Sequence, residues 1–394
     1  MLSERQLFLQ HLAQTSEFPL MLEIEKAEGV YMFAADGKRY IDLISGIGVS
    51  NLGHRHPAVV AAIKAQLDKY MHLMVYGEFI QSPQVQLAKA LAETLPETLS
   101  SCYFVNSGSE AIEGALKLSK RYTGRTKIIS CHNAYHGSSH GSLSLSGNEK
   151  FKQAYRPLLP EIYHIHHGVS DDLSLIDEQS AAVVIEVVQG EAGVRTATPE
   201  YFMALRQQCD SMGALLIFDE IQCGFGRTGT FWAFEQFNVV PDIVVSAKGM
   251  GGGMPIGAFI SSPQIMSVLR NDPILGHITT FGGHPVSAVA SLATLQTILS
   301  DNLMDQVQAK AALFRKHLQH PTIKEIRNQG LMMAVAFESF VKLKPIIDRA
   351  IQLGVLTDWF LYCDNSMRIA PPLVITEAEI KEACQIILQA IHES

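Results

Sequence analysis

Between about residues 83 and 260 the chain alternates helical patterns with short, almost wholly apolar runs, and nothing else in it restricts the architecture as much. The clearest runs are SCYFV (101–105), TKIIS (126–130), AAVVIEVV (181–188), ALLIFDE (214–220) and DIVVSAK (242–248). Strands buried on both faces read as continuous hydrophobic stretches, and strands interleaved with helices build a mainly parallel sheet covered on both sides. Upstream, GVYMFAADGKRYIDL predicts a hairpin, with strands at 30–33 and 39–43 around Asp36-Gly37, and Pro57 opens an amphipathic helix running through Tyr70. Beyond about residue 290 the pattern changes to long helices with a few strands, such as 330–337. The last helix opens on a capping box, Thr376-x-x-Glu379, and carries Ile380, Ala383, Ile387 and Ile391 on one face. The expectation is an α/β chain in three parts. Residues 46–290 form a large domain, 291–394 a smaller α+β domain, and 1–45 an amino-terminal segment packing with the smaller one.

Bulk properties narrow the function classes. At 394 residues, with 47% hydrophobic and only 18% charged residues, the chain can bury a large core and does not have the composition of a disordered one. A net charge of -8 without a basic run excludes a duplex nucleic-acid partner, whose phosphates require clustered Lys and Arg. Six cysteines at 102, 131, 209, 223, 363 and 384 form no C-x-x-C pair, which fits reduced thiols. The first twenty residues mix charges into their apolar positions, and no apolar run is long enough to cross a bilayer. The expectation is a soluble cytoplasmic protein without a membrane partner.

The stretch VSAKGMGGGMPIGAF places Lys248 before a run of glycines, the reverse of a phosphate-binding P-loop. Lys248 instead follows an apolar strand, at the carboxyl end where open α/β sheets collect ligands. Asp219 and Glu220 end the preceding apolar run in the same way, and an unpaired buried carboxylate there would be costly. In FVNSGSEA a strand runs into the small turn Asn106-Ser107-Gly108-Ser109 and then a helix, with Ser107 and Glu110 at capping-box spacing. Such a turn is equally a plain strand–helix connection or an anion site built from free N–H groups and a helix N-terminus. An amine, an acid and an anion-binding helix end at one sheet edge suggest pyridoxal phosphate. That cofactor needs a lysine, a partner for its pyridine nitrogen and a phosphate cup.

Taken together, SGIGVSNLGHRHP, FVNSGSEA, YHG, VVQGEAGV, IFDEIQCGFGRTG, VSAKGMGGGMPIGA, TTFGGHP and RIAPPLVIT resemble the class III aminotransferases of fold type I over almost the whole chain. The likeness is strongest to the acetylornithine and ornithine aminotransferase branch. It implies a seven-stranded, mainly parallel sheet and a homodimer with shared active sites. Lys248 would bind the cofactor covalently and carry the proton, Asp219 would pair with the pyridine nitrogen and Gln222 would bond the ring oxygen. Ser107, Gly108 and Ser109 would form the phosphate cup, Tyr135 would stack on the ring, and Thr280 would reach the phosphate of the neighbouring subunit. Glu191 would cover Arg368 until a substrate carboxylate needs that guanidinium, and Ile47 would line the entrance. The amino donor would be an ω-amino compound and the acceptor a 2-oxo acid, with 2-oxoglutarate preferred.

One position departs from the branch. Its aromatic-x-Gly motif typically continues with an arginine for the substrate's distal carboxylate, but here the next residue is Ser138. Tyr-His-Gly-Ser is similar to amine:pyruvate and ω-amino acid transaminases, so pyruvate is the alternative acceptor. Arg195 and Arg55 are the candidate replacement cations, each also readable as a surface or interface residue. The core residues leave a decarboxylase or an aminomutase open, whereas a silent cofactor-binding scaffold would be expected to lose the lysine, the aspartate or the phosphate cup, and none is lost. His164, His166 and His167 cluster without a carboxylate or cysteine at a familiar ligand spacing, and read as a solvated strand end rather than a metal site.

Overall fold

The computed structural model describes residues 2–75 and 77–394. Seven strands form the central sheet: β1 (Ser101–Val105), β2 (Lys127–Cys131), β3 (Ile162–Ile165), β4 (Ser180–Glu186), β5 (Leu215–Asp219), β6 (Ile243–Ser246) and β7 (Gly257–Ser261). Their order is β1-β7-β6-β5-β4-β2-β3. All neighbouring pairs are parallel except the two that involve β7, which runs antiparallel to both β6 and β1. The segment between β6 and β7 holds only a single turn, Lys248–Gly251, and no crossover helix, so the chain must reverse direction there. Every residue of β4, β5, β6 and β7 is buried, as the unbroken apolar runs require.

Several boundaries differ from the sequence expectation. The run 181–188 stops as a sheet strand at Glu186, and Val188–Gln189 turns into a separate ribbon with Arg195–Thr196. The run 242–248 stops at Ser246, so Lys248 opens a turn instead of ending a strand. The helix from Pro57 ends at Leu67, three residues before Tyr70, where Lys69 and Tyr70 both donate to the Gln66 carbonyl. Strands β3 and β7 were not among the clear runs. Tyr163 on β3 is exposed, and β7 begins at a glycine, so neither announces itself by hydrophobic period.

The helix Gly108–Thr123 packs on the sheet through Ala111, Ile112, Ala115, Leu116 and Leu118, and Gly124 ends it in the left-handed conformation at φ +69°. Gly114 sets how close it comes: a Cβ there would lie 2.2 Å from Cε1 of Phe259 on β7. The amino-terminal strands Ile24–Glu28, Tyr31–Ala34 and Arg39–Asp42 are joined by Val355–Leu356, which runs parallel to the third. Another antiparallel sheet contains Glu325–Gln329, Met332–Ala336, Cys363–Ile369 and Trp359–Phe360. The helix Glu377–Glu393 opens on the expected capping box at Thr376 and buries Ile380, Ala383, Ile387 and Ile391. All six cysteines are free. Among the described residues no helix is long and apolar enough to cross a membrane.

Candidate active site

A cavity of about 430 Å³ opens at the carboxyl ends of β4, β5 and β6 and brings Ser107, Gly108, Ser109, Tyr135, Glu191, Asp219, Gln222 and Lys248 together. These residues come from five separate segments, and the sheet order gathers them. Asp219 and Glu186 face each other in register as the last residues of the parallel strands β5 and β4, so two carboxylates share one edge. Both are buried.

Those two acids resolve their repulsion differently. Asp219 Oδ2 accepts from His136 Nδ1 at 2.7 Å, and its Oδ1 accepts from the Ile221 N–H at 2.9 Å. Burial alone would lower the basicity of His136. The hydrogen bond and charge of Asp219, helped by Glu186, reverse that and hold the imidazole above its ordinary 6.5. Glu186 accepts from the Tyr135 and Gly190 N–H groups at 2.8 and 3.0 Å. Burial, with Asp219 adding to it, raises its carboxyl from 4.5 to about 7 against the opposing charge of His136. Folding therefore binds a proton at Glu186 more tightly than the unfolded chain does. The sign follows: between pH 4.5 and about 7 the folded state loses stability as pH rises through the interval. The melting temperature of the cofactor-free protein is expected to fall across this interval, and less steeply in Glu186→Gln. An identical slope in that variant would show that Glu186 does not carry the effect.

Lys248 sits at φ +47°, a left-handed conformation that is uncommon outside glycine, and Gly252 and Gly253 follow at φ +59° and +99°. This turn lifts the lysine off the sheet edge. Its side chain is half-buried and has no hydrogen-bond partner among the described residues. Burial is the largest influence and holds the amine below its ordinary 10.5, against the charges of Glu191, Asp219 and Glu186.

At the other end of the cavity Ser107 caps the helix, its Oγ accepting from the Glu110 N–H at 3.2 Å. The expected capping box is only half made. Glu110 reaches past Ser107 to the Asn106 N–H at 2.6 Å, so it does not occupy the N–H groups of the first turn. Ser109 Oγ accepts from the Ser138 N–H at 3.2 Å, which leaves its own proton free to donate. Gly137, at φ +130°, lets the Tyr135-His136-Gly137 turn press against this cup; a Cβ there would lie 2.1 Å from Ser109 Oγ. A free amine, a buried carboxylate and unpaired first-turn N–H groups on one cavity form the donor set that pyridoxal phosphate requires.

Glu191 and Arg368 meet as a buried two-pronged pair, with Nη1 to Oε1 and Nη2 to Oε2 both at 3.0 Å. Glu191 lines the cavity, whereas Arg368 lines a small adjoining cleft with Ile47, Gln222 and Phe360. The carboxylate thus stands between the guanidinium and the cavity. Gln222 Nε2 donates to Glu191 at 3.4 Å. Burial would raise the Glu191 carboxyl, but Arg368 outweighs it and holds the group below its ordinary value. Ile47 lies in a left-handed turn in which Ser45, Gly46, Ile47 and Gly48 all have positive φ.

Four further candidate positions lie outside the cavity. Ser138 is exposed, and its Oγ is 3.1 Å from the Tyr135 hydroxyl. Thr280 is exposed, with its carbonyl accepting from His72 Nε2 at 2.9 Å. Arg55 and Arg195 are exposed and line no part of the cavity, so neither replaces the missing arginine in this chain's own site. The histidine cluster disperses: His164 bonds the Leu145 and Ser146 carbonyls, His167 the Glu186 carbonyl, and His166 a carboxylate, Asp172, that its spacing did not reveal. Among the described residues no group of three or more His, Cys, Asp or Glu could hold a metal ion.

Sequence reasoning missed His136, Glu186 and Asp358, the last bonded to Arg368 Nε at 2.8 Å. Glu186 had a visible signal, since it interrupts an apolar run as Asp219 does. His136 was visible only as the middle of Tyr-His-Gly, and Asp358 had no signal.

The class III aminotransferase family model matches residues 12–391. The acetylornithine aminotransferase of Methanopyrus kandleri is 38% identical over 389 residues, covering 98% of this chain and 97% of that relative. A [LysW]-aminoadipate semialdehyde/glutamate semialdehyde transaminase of Sulfurisphaera tokodaii is 34% identical over 383 residues, covering 95% of each chain. The solved ornithine aminotransferase of Toxoplasma gondii superposes with a TM-score of 0.90 at 29% identity, covering 98% of this chain and 93% of that one. The cavity, its donor set and these similarities lead to one conclusion: the chain belongs to the class III aminotransferases and is a pyridoxal-phosphate-dependent transaminase of fold type I.

Proposed function

We propose that this transaminase takes its amino group from an ω-amino donor and passes it to 2-oxoglutarate. The observation that carries the reading is the buried Glu191–Arg368 pair beside the cavity. A guanidinium covered by a carboxylate that a substrate carboxylate could displace suits an enzyme whose two substrates differ at this point. The ω-amino donor leaves the pair closed, and the acceptor's α-carboxylate takes the place of Glu191 in the same two-pronged geometry. Relatives named for acetylornithine and for semialdehyde substrates support the donor class.

Pyridoxal phosphate, when bound, supplies an electron sink conjugated to the substrate's reacting carbon. The chain's part is placement and proton transfer. Ser107, Gly108 and Ser109 hold the phosphate, and Tyr135 covers the ring face. Asp219, oriented by its bond to His136, would pair with the pyridine nitrogen, and Gln222 would bond the ring oxygen. The Lys248 amine, lowered by burial, takes and returns the proton at the substrate carbon.

The site is completed by a second copy of the chain. Thr280 lies in a region that exposes Met71, Phe79, Ile80, Ile274 and Phe281, with Ile80 97% exposed, as an interface would. In this reading Thr280 binds the partner's phosphate cup, and light scattering that finds an active monomer sinks it. Ser138 supports one second reading, a pyruvate-using ω-transaminase, because an exposed hydroxyl cannot anchor a distal carboxylate as an arginine does. Single-turnover reactions with glutamate and alanine, followed by loss of the cofactor's aldehyde absorbance, separate the two. Glutamate is expected to discharge it; discharge by alanine alone would overturn the choice of 2-oxoglutarate.

A further inference from the structure

Arg368 is held from two sides. Its Nη1 and Nη2 face Glu191, while Nε donates to Asp358 Oδ1 at 2.8 Å on the opposite edge. Asp358 is fixed in turn, because its carbonyl accepts from the Arg368 N–H at 2.9 Å. The Phe360 ring lies 4.5 Å from the guanidinium carbon, and the Trp359 carbonyl is 3.5 Å from Nη2. All four contacts other than Glu191 come from 358–360, on the short chain reversal that leads into the strand Cys363–Ile369. Glu191 comes from a different segment, the turn between Val188–Gln189 and Arg195–Thr196, and its Oε2 also accepts from the Leu361 N–H at 3.0 Å.

The asymmetry has a mechanical consequence. When Glu191 withdraws, an arginine held by that pair alone would regain its side-chain freedom and would have to be ordered again at an entropic cost. With Nε tied to Asp358, the guanidinium keeps its plane and direction, and Nη1 and Nη2 remain together as a fork. We propose that Asp358 is a positioning residue for the substrate carboxylate: it holds Arg368 by Nε so that the Nη1/Nη2 edge is ready when Glu191 leaves. The proposal rests on the reading of Arg368 as the acceptor's carboxylate site. Asp358 acts through Arg368 and touches neither cofactor nor reacting atoms.

The test uses cofactor-loaded protein carrying Asp358→Ala, Asp358→Asn or Arg368→Gln. The concentration dependence of the half-reaction is followed with glutamate and with alanine, and binding of glutarate, an unreactive dicarboxylate, is measured by calorimetry. Asp358→Ala should raise the apparent Kd of the reacting amino acid, and that of glutarate, about tenfold, the worth of one charge-assisted hydrogen bond. The saturated rate should change less. Asp358→Asn retains an acceptor for Nε and should recover most of the loss. An unchanged Kd in Asp358→Ala beside a raised Kd in Arg368→Gln would overturn the role of Asp358 and leave the carboxylate site standing. An Asn variant as impaired as the Ala variant, or a loss of melting temperature that accounts for the weaker binding, would also overturn it. An unchanged Kd in Arg368→Gln would remove the carboxylate site itself and the inference with it.

Discussion

Lys248→Ala is expected to slow single turnover with every donor by about four orders of magnitude, the upper end of what a positioned acid–base group contributes. The lysine is the only unpaired amine among the described residues lining the cavity, and burial holds its basicity below the ordinary value. Its backbone is left-handed, and no other lysine lines the cavity among the described residues. Cofactor should still bind, because the phosphate cup and Asp219 are untouched, and fluorescence titration can show this separately. Borohydride reduction should attach cofactor to the Lys248 peptide of the wild type and to no peptide of the variant. Residual turnover within tenfold of the wild type would remove Lys248 from the chemistry.

The second large effect is expected at Asp219. Asp219→Asn preserves the shape of the side chain but removes the charge that holds the buried His136 imidazole above its ordinary basicity. In the proposed reading the pyridine nitrogen would then lose its ionic partner, beside a side chain that is itself buried. A loss of about three orders of magnitude in the half-reaction rate is expected, the size typical of deleting one preorganised electrostatic contact. The fold should survive, since Oδ1 of asparagine can still accept from the Ile221 N–H. Normal rates in Asp219→Asn at saturating cofactor would show that the His136–Asp219 pair is structural only.

Much of the site was legible because its chemistry is attached to local pattern. Asp219 ends an apolar strand, Ser107-Gly108-Ser109 joins a strand to a helix, and Lys248 follows a buried run, so each could be placed at a sheet edge from neighbouring residues alone. Strand and helix period are properties of a few consecutive backbone units, and burial imprints them on the side chains. Glu186 carries the same signature, but nothing in its neighbouring residues shows that it meets Asp219 across the sheet.

What the sequence determined by itself is the layered sheet, the segments that end at its carboxyl edge and the residue types placed there. Only the tertiary structure decided which of those ends adjoin. Glu186 and Asp219 became neighbours because β4 and β5 pair in parallel, and His136 reached Asp219 across 83 positions. Glu191 met Arg368 across 177 positions, and the motifs around them gave no sign of Asp358 on the far edge of the guanidinium. The physical reason is that hydrophobic burial depends little on direction, so it settles which residues go inside but not which charges will face one another. That pairing follows from sheet order and from the cost of leaving any buried charge without a partner.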